Sequence, residues 1–155
     1  MAHLNIGDVL RRQGDLDGAL KAYREGLVIR QRLAALNRNN PQWQRDLTPV
    51  ANKMVDLAFR FVRAGKFETG LAAVDQSIAL RPEDVSFYAV RAYALMFLGQ
   101  VDEARALYLR YRGAQNVLGN KPWEAVVLED FADLSKAGHS HPLMDEIEKR
   151  FAARG

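Results

Sequence analysis

Apolar residues recur along this chain at the three- and four-residue steps that characterise an α-helix. In the first half they are Ile6, Leu10, Leu20, Tyr23, Leu27 and Leu33, and further on they are Met54, Leu57, Phe61, Leu71, Val74 and Ile78. Side chains at these steps lie on one face of a helix, so each run predicts a helix with one apolar face. No segment alternates apolar and polar residues long enough to indicate a strand. The pattern therefore predicts an all-α protein.

A short phrase that begins with glycine separates the helical runs at three places. The glycines are Gly14, Gly65 and Gly99, and each is followed two positions later by an apolar residue and then by the start of another helical run. Glycine readily takes the left-handed conformation that ends a helix, so each phrase predicts a tight turn between two antiparallel helices. One such hairpin cannot bury both of its faces, and we expect several hairpins to stack in register.

The units resemble the tetratricopeptide repeat, whose period of 34 residues equals the separation of Gly65 and Gly99. The middle unit carries the family's pattern at Met54, Leu57, Ala58, Phe61, Gly65, Phe67, Gly70, Val74, Ser77 and Pro82. The first unit matches from Ile6 to Gly26, and the third matches from Tyr88 to Tyr108 with a departure at Arg91. The resemblance implies a right-handed α–α superhelix within one domain of residues 1–155, with units at about 3–40, 48–82 and 85–113.

The remaining segment predicts a different kind of hairpin at residues 121–153, because Pro122 and Pro142 each open a helical run and Gly138 lies between them. We expect this hairpin to cap the stack, whose last apolar face would otherwise meet water. No comparable cap precedes the first unit, so we expect the chain to be a fragment of a larger protein. The phrases Gly-Asp-Leu at 14–16 and Trp-Gln-Arg-Asp-Leu at 43–47 resemble repeats of bacterial multidomain signalling proteins.

No group of residues indicates an enzyme. The 155 residues include no cysteine, which rules out disulfides, thiolate metal sites and cysteine nucleophiles. His139 and His141 could hold a metal together with Asp145, but their place between two helices is more typical of a turn. There is no glycine-rich phosphate loop. We therefore expect no catalytic residues, no bound metal and no cofactor.

Charge and hydropathy narrow the choice of partner. Residues 1–65 carry eleven Lys and Arg against six Asp and Glu, whereas residues 66–155 carry eleven against thirteen. Nucleic acid could bind to Arg11, Arg12, Arg60 and Arg63 together with Phe59, but no readout motif is present, and we do not expect that function.

No apolar run is long enough to span a membrane, and no export leader is evident. Together with the lack of cysteine, this favours a cytoplasmic protein.

The resemblance also implies where a partner would bind, since the first helix of each tetratricopeptide unit lines a concave groove. The corresponding residues are Asp8, Arg11 and Arg12 in the first unit, Asn52, Val55, Phe59, Val62 and Arg63 in the second, and Tyr93, Met96 and Phe97 in the third. For Met96 and Phe97 the alternative is a place in the core beneath the capping hairpin.

These residues favour a protein-interaction scaffold that binds a peptide or partner domain, with an acidic group of the ligand near Arg11, Arg12 or Arg63. The alternative function is a structural module that self-associates through its uncapped first unit.

Overall fold

The structure is a computed structural model, and it describes residues 2–45 and 47–153. These residues form nine helices: α1 Ala2–Arg12, α2 Leu16–Leu36, α3 Pro41–Arg45, α4 Leu47–Arg63, α5 Phe67–Leu80, α6 Val85–Phe97, α7 Val101–Arg110, α8 Trp123–Lys136 and α9 Pro142–Ala152. Within the two ranges the only β-type pairing is one bridge between Leu118 and Lys121. The prediction of an all-α protein is confirmed. The predicted domain of residues 1–155 also includes Met1, Asp46, Arg154 and Gly155, which lie outside the described residues. Asp46 also belongs to the phrase at 43–47.

The glycine turns all have the same geometry. Gly14, Gly65 and Gly99 take left-handed conformations with φ of 83°, 85° and 86°, and Gly138 in the capping hairpin does the same with φ of 96°. In all four turns the residue after the glycine donates its N–H to the carbonyl oxygen five positions earlier, at 2.8–2.9 Å. This bond satisfies a carbonyl that the helix end leaves free. The turn of the last hairpin is thus built like the three before it.

Two other glycines let the helices of a hairpin approach closely. A Cβ atom on Gly7 would collide with the ring of Tyr23, and one on Gly70 would lie 2.8 Å from Cγ2 of Val62 and 3.0 Å from the carbonyl oxygen of Ala58. Real Cβ atoms almost never approach a neighbour closer than 3.0 Å. The helices of the first and second hairpins therefore cross where a glycine lies on the inner face.

The four hairpins α1–α2, α4–α5, α6–α7 and α8–α9 stack side by side into an α–α superhelix. Among the first three hairpins, the second helix of one packs on the first helix of the next, as α2 does on α4 and α5 does on α6, whereas the last hairpin packs with α8 on α6 and α9 on α7. The first helices α4, α6 and α8 also contact one another in sequence and form one side of the stack. The buried apolar faces join into one continuous core from Leu4 to Ile147.

The wide interval between the first two glycine turns has a local cause. Helix α2 is the longest of the described helices, with 21 residues, and ends at Leu36. The short α3 begins at Pro41, where proline suits the first turn of a helix because its missing N–H would have no partner there. Helix α4 starts at Leu47 with Pro49 in its first turn.

Trp123 and an ion pair fasten the capping hairpin to the third unit. The side chain of Trp123 is fully buried, and its Nε1–H donates to the carbonyl oxygen of Tyr108 at 2.8 Å. On the other side of the stack, Arg105 donates to both carboxylate oxygens of Glu146 at 2.6 and 3.0 Å. The hairpin therefore extends the stack beyond the third unit, with α8 beside α6 and α9 beside α7. That position brings α8 beside α6, where the candidate site is formed.

Candidate partner-binding groove

A cleft of about 500 Å³ opens on the side of the stack formed by α4, α6 and α8. This volume falls within the roughly 300–1,000 Å³ that is usual for ligand sites. We call it the cleft, and its lining residues are Asn52, Val55, Asp56, Phe59, Arg81, Asp84, Ser86, Phe87, Val90, Val117, Leu118, Gly119, Val126 and Asp130. The loop between α7 and α8 forms one edge, because the bridge between Leu118 and Lys121 folds residues 117–119 over it.

Apolar side chains form most of the walls. Val55 and Phe59 of α4 are partly exposed, while Val90 of α6 and Val126 of α8 lie deeper. Leu118 at the rim has 57% of its surface exposed. It lies next to the apolar walls of the cleft, and contiguous apolar surface of this kind marks interaction sites.

The polar residues around the cleft are mostly paired with one another. Asp56 accepts hydrogen bonds from Arg11 at 3.3 Å and from Arg60 at 3.1 Å. At the α5–α6 turn, the guanidinium of Arg81 lies 3.5 Å from the carboxylate of Asp84. The same arginine donates to the side-chain oxygen of Asn52 at 3.3 Å. These charges already have partners within the protein.

Asp130 lies at the base of the cleft beside the hydroxyl of Tyr93. The Tyr93 hydroxyl donates to Oδ2 of Asp130 at 2.7 Å, and the Tyr93 ring packs edge-on against Phe59 with centroids 6.0 Å apart. Tyr93 itself is fully buried. It therefore lies beneath the cleft, between a wall residue of α4 and an acidic residue of α8.

Burial raises the pKa of Asp130 from its ordinary value of 3.8 to about 6, against the opposing effect of the Tyr93 hydrogen bond. The nearby carboxylates of Asp133 and Glu129 raise the pKa further, and Lys121 lowers it. Lys121 forms its ion pair with Glu129, at 2.8 Å. In the part of the chain that the structure describes, Asp130 has no cationic side chain within 4.0 Å.

The structure brings three of the residues expected from the sequence together in the cleft, namely Asn52, Val55 and Phe59. Two others that were expected to line it, Arg12 and Arg63, are exposed but lie outside it. Arg63 forms an ion pair with Asp133 at 3.3 Å.

Val62, Tyr93 and Met96 require a correction, because all three are fully buried and cannot contact a partner directly. Val62 packs against Gly70 at the crossing of α4 and α5. Tyr93 lies beneath Phe131 of α8, with ring centroids 5.9 Å apart. Met96 belongs to the core, which was the alternative to a place in the groove. Tyr93 is buried because α8 packs over α6, where an open groove was expected.

Phe97, Asp8 and Arg11 also make internal contacts. The Phe97 ring is partly buried and stacks on Phe67 at 4.7 Å, away from the cleft. Asp8 accepts hydrogen bonds from Lys53 at 2.7 Å and from Tyr23 at 2.6 Å. Burial alone would raise the pKa of Asp8, but the Lys53 and Tyr23 hydrogen bonds outweigh it and lower the pKa below 3.8. Arg11 pairs with Asp56, as described above.

Sequence reasoning missed Val117, Leu118 and Asp130. The loop pair Val117–Leu118 has no periodicity to place it, although two adjacent apolar residues between glycines were a signal. Asp130 stands four positions after Val126, and this spacing puts both on one helix face. This spacing could have indicated that Asp130 lies on the same face of α8 as the buried Val126, while its neighbour Glu129 is exposed.

The histidines between α8 and α9 have structural roles. The Nδ1 atom of His141 accepts the N–H of Leu143 at 2.9 Å and so caps α9. His139 packs edge-on against Phe67, with ring centroids 5.5 Å apart. Among the residues that the structure describes, no group of three or more His, Cys, Asp and Glu could hold a metal ion. The same residues include no helix long and apolar enough to cross a bilayer.

Comparison with known proteins agrees with the repeat architecture. The sequence profile of the tetratricopeptide repeat matches residues 1–40 and 55–117, which together make up more than half of the chain. Neither curated proteins nor solved structures gave a match. Tetratricopeptide repeats mediate protein–protein interactions and are typically non-catalytic. The repeated glycine turns, the stacked hairpins and the profile match lead to one conclusion: the chain belongs to the tetratricopeptide repeat family.

Proposed function

We propose that this protein is an interaction scaffold that binds an extended peptide segment of a partner protein in the cleft between α4, α6 and α8. The observation that carries the proposal is the cleft itself, which combines apolar walls with a partly exposed Phe59 and an exposed Leu118. Binding sites of this kind gain most of their affinity from a few apolar anchors that become dry in the complex. We propose no catalytic role for the residues of the cleft.

The cleft fits a peptide better than a large flat surface because it is concave and closed on one side by the loop at 117–119. We expected an acidic ligand group near Arg11, Arg12 or Arg63, but none of these arginines lines the cleft. Arg11 and Arg63 also have acidic partners within the protein. The proposal therefore rests on the apolar walls, and not on those arginines.

The test begins with a phage-displayed library of random twelve-residue peptides selected on the folded protein. The strongest binder is then titrated by calorimetry against Leu118→Ser and against the matched control Leu36→Ser, since Leu36 is also exposed but lies on α2. Loss of part of one leucine contact should cost about 1 kcal/mol, or roughly fivefold in affinity, for Leu118→Ser only. Equal affinities for the two variants would show that the peptide does not use the cleft.

A second candidate function is self-association through the first hairpin. It is supported by exposed apolar side chains on α1 and α2, which include Ile6 at 51% exposure and Leu36 at 80%. Analytical ultracentrifugation of the wild type and of Leu36→Glu tests it, because a charge in a homodimeric contact should shift the equilibrium toward monomer. A wild-type protein that sediments as a monomer at the highest attainable concentration would exclude this candidate.

We further propose that residues 1–155 act as one domain of a larger, cytoplasmic bacterial protein. The support is the likeness of residues 14–16 and 43–47 to repeats of bacterial signalling proteins, together with the continuous core. Reading the gene sequence on both sides of this segment is the direct test, and an open reading frame with no further domain would contradict the proposal.

A further inference from the structure

Among the ionisable groups of the cleft, Asp130 differs from the others because no cationic side chain of the described residues lies within 4.0 Å of it. Asp56 is held by two arginines, and Asp84 and Arg81 lie against each other. Within the described residues, the hydrogen bond to Asp130 comes from the neutral hydroxyl of Tyr93. Of the three aspartates that line the cleft, Asp56 and Asp84 are thus compensated by arginines, and the carboxylate of Asp130 is not.

This arrangement is costly for the protein on its own. A carboxylate among apolar groups is disfavoured unless a cation or several hydrogen bonds compensate for the lost water. The raised pKa of Asp130 agrees with incomplete compensation, since it reflects burial that the Tyr93 hydrogen bond does not offset. Residues that lower the stability of the free protein are characteristic of functional sites, where a ligand supplies what is missing.

We propose that the cleft recognises a basic side chain of the partner peptide, a lysine or arginine whose cationic group pairs with the carboxylate of Asp130. This inference rests on the proposed function, and it names the ligand chemistry of the same site. The uncompensated carboxylate of Asp130 is complementary to such a cationic group. The partly exposed Val55 and Phe59 provide apolar surface for the methylene stem, which lysine and arginine bury readily while the charged end reaches a polar group.

Tyr93 acts as a positioning residue in this scheme. It is fully buried, so the peptide does not touch it, but its hydroxyl holds one carboxylate oxygen of Asp130 at 2.7 Å. The other oxygen remains available to accept a hydrogen bond from an ammonium or guanidinium group. Hydrogen bonds between ionised partners are stronger than neutral ones, and they are stronger still in a cleft from which water is excluded.

The experiment uses the peptides selected from the random library on the wild-type protein at pH 7.5. We expect a basic residue at one shared position of the selected peptides. Its replacement by glutamine in a synthetic peptide should weaken binding to the wild type about tenfold or more. The same replacement should have much less effect on binding to Asp130→Asn, because that variant has already lost the acidic partner.

Glu129→Gln is the matched control, since it removes one negative charge at the neighbouring position, where the carboxylate is exposed and paired with Lys121. We expect this variant to bind the selected peptide as the wild type does. Urea unfolding of each variant verifies that it is folded. The glutamine-substituted peptide tests the same contact without any change to the protein.

Lowering the pH to 5 provides an independent measurement. The groups around the Asp130 carboxylate are Tyr93 of α6, Tyr108 of α7, Asp133 and Glu129 of α8, and Lys121 in the preceding loop. The lysine and the tyrosines keep their protonation between pH 7.5 and 5, so the main change at the cleft is protonation of Asp130. Affinity for the basic peptide should fall roughly tenfold in the wild type and much less in Asp130→Asn.

The outcomes separate the two proposals. If the selected peptides lose affinity for Leu118→Ser but contain no required basic residue, or bind Asp130→Asn as tightly as the wild type, the cleft is the site and the basic ligand is wrong. If no peptide is selected, or Leu118→Ser has no effect, the proposed function itself is wrong and this inference fails with it.

Discussion

Replacing Asp130 by asparagine should change how the stability of the free protein depends on pH. Asparagine keeps the shape of the side chain and an oxygen that can accept the Tyr93 hydroxyl, but it cannot ionise. In the wild type the carboxyl has a pKa of about 6 in the folded protein, compared with 3.8 as its ordinary value. Because folding raises this pKa, its contribution to stability is fully present below 3.8 and is lost as the pH rises through 6.

The expected size follows from the two pKa values. A difference of about 2 corresponds to roughly 3 kcal/mol between low and high pH, and nearly half of it falls between pH 7.5 and pH 5. The wild type should therefore gain about 1 kcal/mol of unfolding free energy, relative to Asp130→Asn, when the pH is lowered over this interval. Groups other than Asp130 are common to both proteins, so their contributions cancel in the comparison.

Urea unfolding at pH 7.5 and pH 5 measures this difference. With an m-value of about 2 kcal/mol/M, it appears as a relative shift of roughly 0.5 M in the unfolding midpoint. Glu129→Gln should keep most of the pH dependence of the wild type, because this variant still contains Asp130. If the stability difference between Asp130→Asn and the wild type were the same at both pH values, the carboxyl would not be desolvated as described, and the argument for a missing counter-ion would be refuted.

Two further substitutions test the stacking of the hairpins. Gly70→Ala should lower the unfolding free energy by about 1–3 kcal/mol in urea titrations, because the added methyl group would press on Val62 and on the carbonyl of Ala58; an unchanged midpoint would mean that the helices do not cross there. Trp123→Phe should cost about 1–3 kcal/mol by leaving the buried carbonyl of Tyr108 without its donor. Wild-type stability of Trp123→Phe would show that the capping hairpin is not attached in this way.

The fold could be predicted from the sequence because its determinants are local. Gly14, Gly65 and Gly99 were identified as turns from their position after an apolar run, and all three take left-handed conformations. The same reasoning ended a helix at Gly138 without recognising that it forms the same turn. Helix periodicity and turn chemistry involve neighbours within a few residues, which a single sequence displays directly.

The lining of the cleft was harder to predict because it depends on distant contacts. Tyr93 stands at a position that lines a groove in a regular repeat, yet its hydroxyl binds Asp130, which is 37 residues away along the chain. Tyr93 is buried because α8 packs over α6. No local feature of the sequence indicates how a capping hairpin packs on the preceding unit. For the same reason Val55 and Phe59 face the cleft, while Val62 on the same helix is buried against α5.

The claim that this cleft is the binding site can be tested most directly by methyl NMR with labelled valines. The chain has valines inside the cleft, at Val55, Val90, Val117 and Val126, and others outside it, at Val28 and Val101. Addition of the selected basic peptide should shift the methyl signals of the first four and leave the last two unchanged. Shifts confined to Val28 or Val101, with the four cleft valines unaffected, would contradict the account.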